Sequence, residues 1–190
     1  MPRKTNYSAR ERILKIASEL FYEYGIQAVG VDRIIAESGV AKTTLYRYFP
    51  SKDDLVVAFL EERNRVFWEY FDVAVGKYPD NAKRQLLAVF EWIDELLLKP
   101  ECYGCPFLIT IGEFPQLDYP GHQVAIAHKE EMKNRLIVLA ENTGVSNPQQ
   151  LGKYLLLLVD GAFSQRRLFG LSGFESNLKD AAEILINALL

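Results

Sequence analysis

The chain is poor in the residues that build most chemical centres: two cysteines, two histidines and two methionines among 190 residues. It has no run of 18 or more apolar residues, so no ordinary membrane-spanning helix is expected. No convincing alternating strand, internal repeat or low-complexity tract is present. Met1 to Glu11 is polar and does not read as a signal peptide, so a cytoplasmic location is expected. A phosphate-cradling glycine loop and a paired-histidine metal motif are both missing. Gly170-Leu171-Ser172-Gly173-Phe174 comes near a nucleophile elbow, but Phe174 stands where the second glycine belongs and no strand precedes it. It reads as a helix-ending turn. Neither an enzyme nor a cofactor is expected.

The two cysteines stand together in Cys102-Tyr103-Gly104-Cys105-Pro106. Structural zinc needs four ligands, and the remaining candidates, His122 and His128, have five residues between them, outside the usual short spacing. No metal is therefore expected. A redox pair would sit in a thioredoxin-like strand–helix context that this stretch lacks. A thiol-based redox or metal-responsive protein acting through Cys102 and Cys105 is the competing reading.

What the chain does have is concentrated in residues 31–52. Ile34 and Ile35 give a short helix an inner face, Gly39 after Ser38 supplies a tight turn, and Val40 can tuck beneath it. A second helix follows with Lys42, Thr43, Thr44, Tyr46, Arg47 and Tyr48, and only Leu45 and Phe49 as apolar anchors. Pro50 should end it at about Phe49. This is a helix-turn-helix whose second helix presents donors suited to phosphates and base edges.

Flanking signals complete the head. Ser8-Ala9-Arg10-Glu11 matches a capping box, and Ile13, Ala17, Leu20, Phe21 and Tyr24 recur at helical spacing up to Gly25. Ser51 can cap a further helix whose first turn holds Asp53 and Asp54, which suit the macrodipole, and Lys52, which opposes it by roughly 0.3–1 kcal/mol. A phosphate at that helix start would reverse the penalty. Charge is divided in the same sense. Residues 1–52 hold nine Lys or Arg against five Asp or Glu, a net +4, while residues 53–190 hold 13 against 20, a net −7. A basic end on an acidic protein orients it toward a polyanion. Arg3 and Lys4 extend that end and could enter a minor groove.

The segment from about Ala9 to Leu60 resembles the DNA-binding domain of TetR-family bacterial transcriptional regulators. The resemblance rests on Phe21-Tyr22-Glu23-Tyr24-Gly25, Val31-Asp32-Arg33-Ile34, Ser38-Gly39-Val40, Leu45-Tyr46-Arg47-Tyr48-Phe49 and Ser51-Lys52-Asp53-Asp54-Leu55, in family order and spacing. It implies that Lys42, Thr43, Thr44, Tyr46, Arg47, Tyr48 and Lys52 face DNA, while Ile34, Leu45 and Phe49 hold the helices together. Two positions depart from the common pattern. Val29-Gly30 and Ala41 stand where hydroxyl residues often open the two helices. Losing such a cap typically costs about 0.5–2 kcal/mol, less where Gly replaces it.

Beyond residue 52 the pattern stays helical. A long helix with a wide apolar face runs to Gly76 or Pro79, and further helices are predicted at about 80–98, 105–114, 120–142, 148–169 and 175–189. The expected fold is all-α: a three-helix helix-turn-helix head over residues 1–52, then a larger helical body over 53–190 for effector binding and dimerisation. Tyr154 to Val159 and the stripe Leu178, Ala181, Ala182, Leu185, Ile186 and Leu189 are very apolar. A two-fold dimer through about residues 148–190 would cover them and present two recognition helices. The resemblance points the same way, because TetR-family proteins usually dimerise through their last two long helices.

The middle of the chain is rich in aromatics, and family bodies commonly enclose a pocket for a small effector lined by such side chains. Trp68, Phe71, Phe90, Trp92, Phe107, Phe114, Phe163 and Arg167 are the candidate lining. Glu113, His122, His128, Gln165 and Arg166 are further polar candidates. The resulting expectation is a repressor released from a pseudo-palindromic operator by a small molecule.

Overall fold

Helix α1 (Ala9–Tyr24) starts at its capping box: Ser8 Oγ accepts from the Glu11 amide at 3.2 Å, and Glu11 Oε2 accepts from the Ser8 amide at 2.7 Å. Helix α2 (Val31–Ser38) ends on Gly39, which takes the left-handed conformation at φ 65° that an L side chain resists. Helix α3 (Lys42–Tyr48) follows at once. Neither Gly30 nor Ala41 supplies a side-chain cap, so both helices open on bare backbone amides. α1 packs against α2, α3 and the next helix, with Ile13, Phe21, Ile34, Leu45 and Phe49 all buried. Burial of each large side chain contributes about 1.5–3 kcal/mol.

The structure, a computed structural model, describes residues 7–189. Among them are nine helices and no strand, as the sequence predicts. Helix α4 (Lys52–Gly76) opens with a second capping box, Ser51 with Asp54, and is roughly 38 Å long at 1.5 Å per residue. It carries the chain from the head to the far end of the body. There α5 (Ala82–Leu97) packs beside it, followed by the short α6 (Pro106–Glu113) and then α7 (Pro120–Glu141), which lies against α4, α5 and α6. Helix α8 (Pro148–Phe169) lies along α7, and α9 (Leu178–Leu189) closes over α5 and α8. Asp94 Oδ2 accepts the amide of Lys179 at 3.0 Å and so fixes where α9 docks on α5.

The buried side chains form one continuous cluster from Ile13 to Ile186, without a break at residue 52. The apolar stripe of the last helix turns out to serve this core. Leu178, Ala182 and Ile186 are buried against their own chain, while Ala181, Leu185 and Leu189 are half-buried. The apolar surface left uncovered lies on other faces: Leu157, Leu168 and Ile184 are 67%, 75% and 71% exposed, with Tyr154 beside them. Tyr154, Leu157, Gly161 and Leu168 fall at helical spacing and share one face of α8. Gly170, at φ 67°, ends α8, so the Gly170–Phe174 stretch is a turn.

Candidate functional site

α3 exposes one chemistry and buries another. Leu45 and Phe49 are sealed against α1, while Lys42, Thr43, Tyr46, Arg47 and Tyr48 are exposed and Thr44 is half-buried. The Arg47 guanidinium lies 5.1 Å from the Tyr48 ring centroid, which draws these two exposed groups together. Lys42 Nζ lies 3.3 Å from Asp32 Oδ1, but both side chains are largely in solvent, so this pair contributes little and leaves the cation available. Arg3 and Lys4 lie outside the described residues.

Lys52 has an intramolecular partner. Its Nζ donates to the Ile26 carbonyl at 2.6 Å and sits 5.8 Å from the Phe21 ring, and burial pushes its pKa down. The ammonium therefore braces the loop between α1 and α2. Glu113, at the end of α6, holds the same loop from the body side. Its carboxylate accepts the amides of Ile26 at 3.0 Å and Gln27 at 2.6 Å, while the Gln27 side chain donates to the Glu113 carbonyl. The close approach needs Gly25, where a Cβ would come within 2.8 Å of Glu113 Oε1. A carboxylate at a helix C-terminus opposes the macrodipole; two charge-assisted bonds to backbone amides offset that cost. Tyr119 Oη adds a third link by donating to Asp53 at 3.1 Å.

The body holds a cavity of about 160 Å³ among α1, α4, α5, α6, α7 and α8. Of the aromatics singled out from sequence, Trp92, Phe107 and Phe163 line it. Trp68, Phe71, Phe90 and Phe114 do not, for reasons of helical phase. On α4 the cavity face is Arg63, Val66, Phe67 and Tyr70, at i, i+3, i+4 and i+7. Trp68 and Phe71 are turned about 100° per residue from that face, and Arg135 lies over the Trp68 ring at 4.2 Å. Phe90 is wholly buried in the core, on the far side of α5 from Trp92 and Leu96. Phe114 stacks on Tyr119 with ring centroids 4.2 Å apart. Arg167 lines an adjacent groove and donates to the Tyr103 carbonyl at 3.2 Å.

Of the other polar candidates, Gln165 is exposed on α8 away from the cavity, and Arg166 and His122 have structural partners. Arg166, buried, donates to the Leu97 carbonyl at 2.8 Å and so satisfies the end of α5. His122 Nδ1 lies 2.9 Å from the Phe114 carbonyl, which only accepts, so that nitrogen carries the proton. His128 does reach the cavity wall, stacked on Phe107 with centroids 3.7 Å apart. Trp68 Nε1 donates to Asn64 Oδ1 at 2.8 Å, and His128 Nδ1 lies 2.8 Å from the same oxygen. Nδ1 of His128 must therefore donate too. Desolvation and the nearby Lys129 lower its pKa to about 3, so the ring is neutral.

Both cysteines are free thiols and buried. Burial pushes the Cys105 thiol up, away from the reactive thiolate. Cys102 Sγ lies 3.8 Å from the Tyr22 hydroxyl, whose stronger bond goes to the Gly104 carbonyl at 2.7 Å. Among the described residues no three His, Cys, Asp or Glu side chains gather to hold a metal. The thiol reading is not favoured by this geometry. Tyr22 and Arg63, outside the aromatic set read from the sequence, also line the cavity. Arg63 left a signal, a lone cation on the apolar face Phe59-Val66-Phe67-Tyr70, whereas Tyr22 left none.

An exposed polar second helix following a tight glycine turn on a three-helix head is the geometry of a helix-turn-helix DNA reader. The family model described as "Bacterial regulatory proteins, tetR family" matches residues 13–59. SCO4454, a TetR-family transcriptional regulator from Streptomyces coelicolor, superposes with a TM-score of 0.90 at 32% identity, over 95% of this chain and 95% of that one. The regulatory protein TetR from Rhodobacter sphaeroides shares the fold, with a TM-score of 0.79 at 20% identity over 96% of this chain and 99% of that one. An HTH-type transcriptional regulator of Staphylococcus aureus (strain USA300) is 34% identical over 79 residues. That match takes in 42% of this chain and 43% of the relative, so the chain aligns with less than half the length of such curated relatives. The chain belongs to the TetR family. It is a DNA-binding transcriptional regulator and not an enzyme. No helix among the described residues is long and apolar enough to cross a membrane.

Proposed function

We propose that this regulator is a repressor that binds a pseudo-palindromic operator as a homodimer and is released by a small molecule entering the body cavity. The observation that carries the reading is the division of α3 into an exposed face of Lys42, Thr43, Tyr46, Arg47 and Tyr48 and a buried edge of Leu45 and Phe49. On this reading residues 1–52 read DNA, with Thr44 at the margin of the contact, and residues 53–190 bind the effector and dimerise. Lys52 holds the α1–α2 loop and reaches a phosphate only by leaving the Ile26 carbonyl. Two copies of α3 occupy successive major grooves, about one helical turn apart. The uncovered apolar faces of α8 and α9 supply the two-fold contact. Effector binding acts on the head through α4 and α6, which both touch the α1–α2 loop.

The test is a selection of bound duplexes from a random pool, repeated at several salt concentrations, followed by variants. Half-sites should recur with two-fold symmetry, and the salt slope should report several phosphate contacts. Arg47→Ala and Tyr48→Ala should each weaken specific binding by at least tenfold, with dimerisation intact by sedimentation. Wild-type operator affinity in either variant removes α3 as the reading element.

A further inference from the structure

The cavity contains a charge without a partner. Arg63, half-buried, reaches its wall from α4; Glu19 and Glu62 act on it only at longer range, and among the described residues it has no ion pair within 4.0 Å and no side-chain hydrogen bond. Its neighbour Glu62 is paired with Arg65 at 2.7 Å instead. The guanidinium carbon lies 4.1 Å from the Tyr22 ring centroid and 5.7 Å from that of Phe59. Aromatic faces attract a cation but do not take its five N–H donors. Two further cations line the cavity: Lys129 is ion-paired with Asp160, and Lys99 lies exposed where its charge is solvated, while no Asp or Glu is part of the lining. Burial pushes the Arg63 pKa down, the mark of a charge moved out of water without full compensation.

Much of the remaining wall is apolar or aromatic, with Phe67, Trp92, Phe107, Met132 and Phe163 among it, and His128 presents a neutral ring there. An enclosed apolar cavity of roughly 150 Å³ accepts one benzene-sized ring; the space here, partly open to solvent, measures about 160 Å³ and so has room for one ring with its charged group toward Arg63. A planar guanidinium fork is matched bidentately by a carboxylate. We propose that the cavity selects a small, single-ring aromatic carboxylate, with the ring among Phe67, Trp92 and Phe107 and the carboxylate on the Arg63 guanidinium. The inference rests on the reading of this cavity as the effector site. Arg63 lies over Tyr22, a residue of α1, so the carboxylate binds against the head's own first helix.

The experiment is a titration of the full-length protein with benzoate, phenylacetate, neutral benzamide and cationic benzylamine, followed by calorimetry and tryptophan fluorescence. At least one acid should bind with benzamide weaker by roughly 10- to 100-fold, the range expected for a charged hydrogen-bonded contact, and benzylamine should not bind. Arg63→Met should lose that same factor for the acid while benzamide affinity stays unchanged. Arg63→Lys, which keeps the charge and loses the fork, should lose less. Benzamide binding as tightly as the acids, an unchanged acid affinity in Arg63→Met, or no binding by either acid overturns the proposal. Operator affinity measured alongside separates the two readings. An acid held by Arg63 that leaves operator affinity unchanged supports the carboxylate site and refutes the effector role. A neutral ring that enters the cavity and releases the operator does the reverse.

Discussion

His128 shows how a single side chain can carry a pH dependence into the body. Its ring is stacked on Phe107, bonded through Nδ1 to Asn64, and held at a pKa of about 3 by desolvation and by Lys129. The unfolded histidine titrates near 6.5. Between those values the unfolded chain binds a proton that the folded chain refuses, so stability falls as pH drops through about 6.5 and the loss levels off near 3. The slope is at most about 1.4 kcal/mol per pH unit. His128→Asn, which keeps a donor amide and removes the titration, should lose at least about 1 kcal/mol less than wild type between pH 6.5 and 4.5 in urea denaturation. Parallel curves for the two proteins would show that the ring does not control this window.

At the level of elements, α6 is short and yet touches both the cavity and the α1–α2 loop. Pro106 and Phe107 at its start line the cavity, and Glu113 at its end holds the amides of Ile26 and Gln27. Glu113→Ala should leave those two amides without their acceptor. Their hydrogen exchange should quicken by roughly 10- to 100-fold, in line with loss of one to two charged bonds, while amides inside α1 stay protected. Unchanged exchange at Ile26 and Gln27 would mean that the loop is held by something other than α6. The helices themselves were legible in the sequence because their ends are local chemistry: Ser8, Ser51 and Gly39 cap or stop helices where they were expected to. The cavity was less legible. Trp92 and Phe90 are two residues apart on one helix, and only the helix's rotation about its axis decides which meets the cavity and which the core. Glu113 and Ile26 are 87 residues apart, and no local pattern announces their bond. The bond from Lys52 to the Ile26 carbonyl is equally silent in the sequence, since the two residues lie 26 positions apart.

For the whole molecule, the telling surface is the one left uncovered after the core closes. Leu157 on α8 and Ile184 on α9 are both more than two-thirds exposed, so charge at these positions leaves the monomer's own packing intact. In a dimer it would place carboxylates in an apolar contact, which costs several kcal/mol when they find no partner. Leu157→Glu combined with Ile184→Glu should therefore raise the dimer dissociation constant by at least about 100-fold in sedimentation equilibrium, with the helical spectrum and melting of the monomer retained. Operator affinity should fall with it, since one head alone meets one half-site. A variant that remains dimeric at low micromolar concentration would place the two-fold contact elsewhere.

Tyr22 belongs to two regions at once: it is part of the buried cluster that α1 builds, and its ring is a wall of the cavity. The head is therefore not an interchangeable cartridge. A chimera that grafts another regulator's first fifty residues onto this body would replace a wall of the cavity along with the helix-turn-helix. If the cavity is the effector site proposed above, recombination at residue 52 should preserve effector response only when the incoming helix brings an aromatic residue to the same place beneath Arg63.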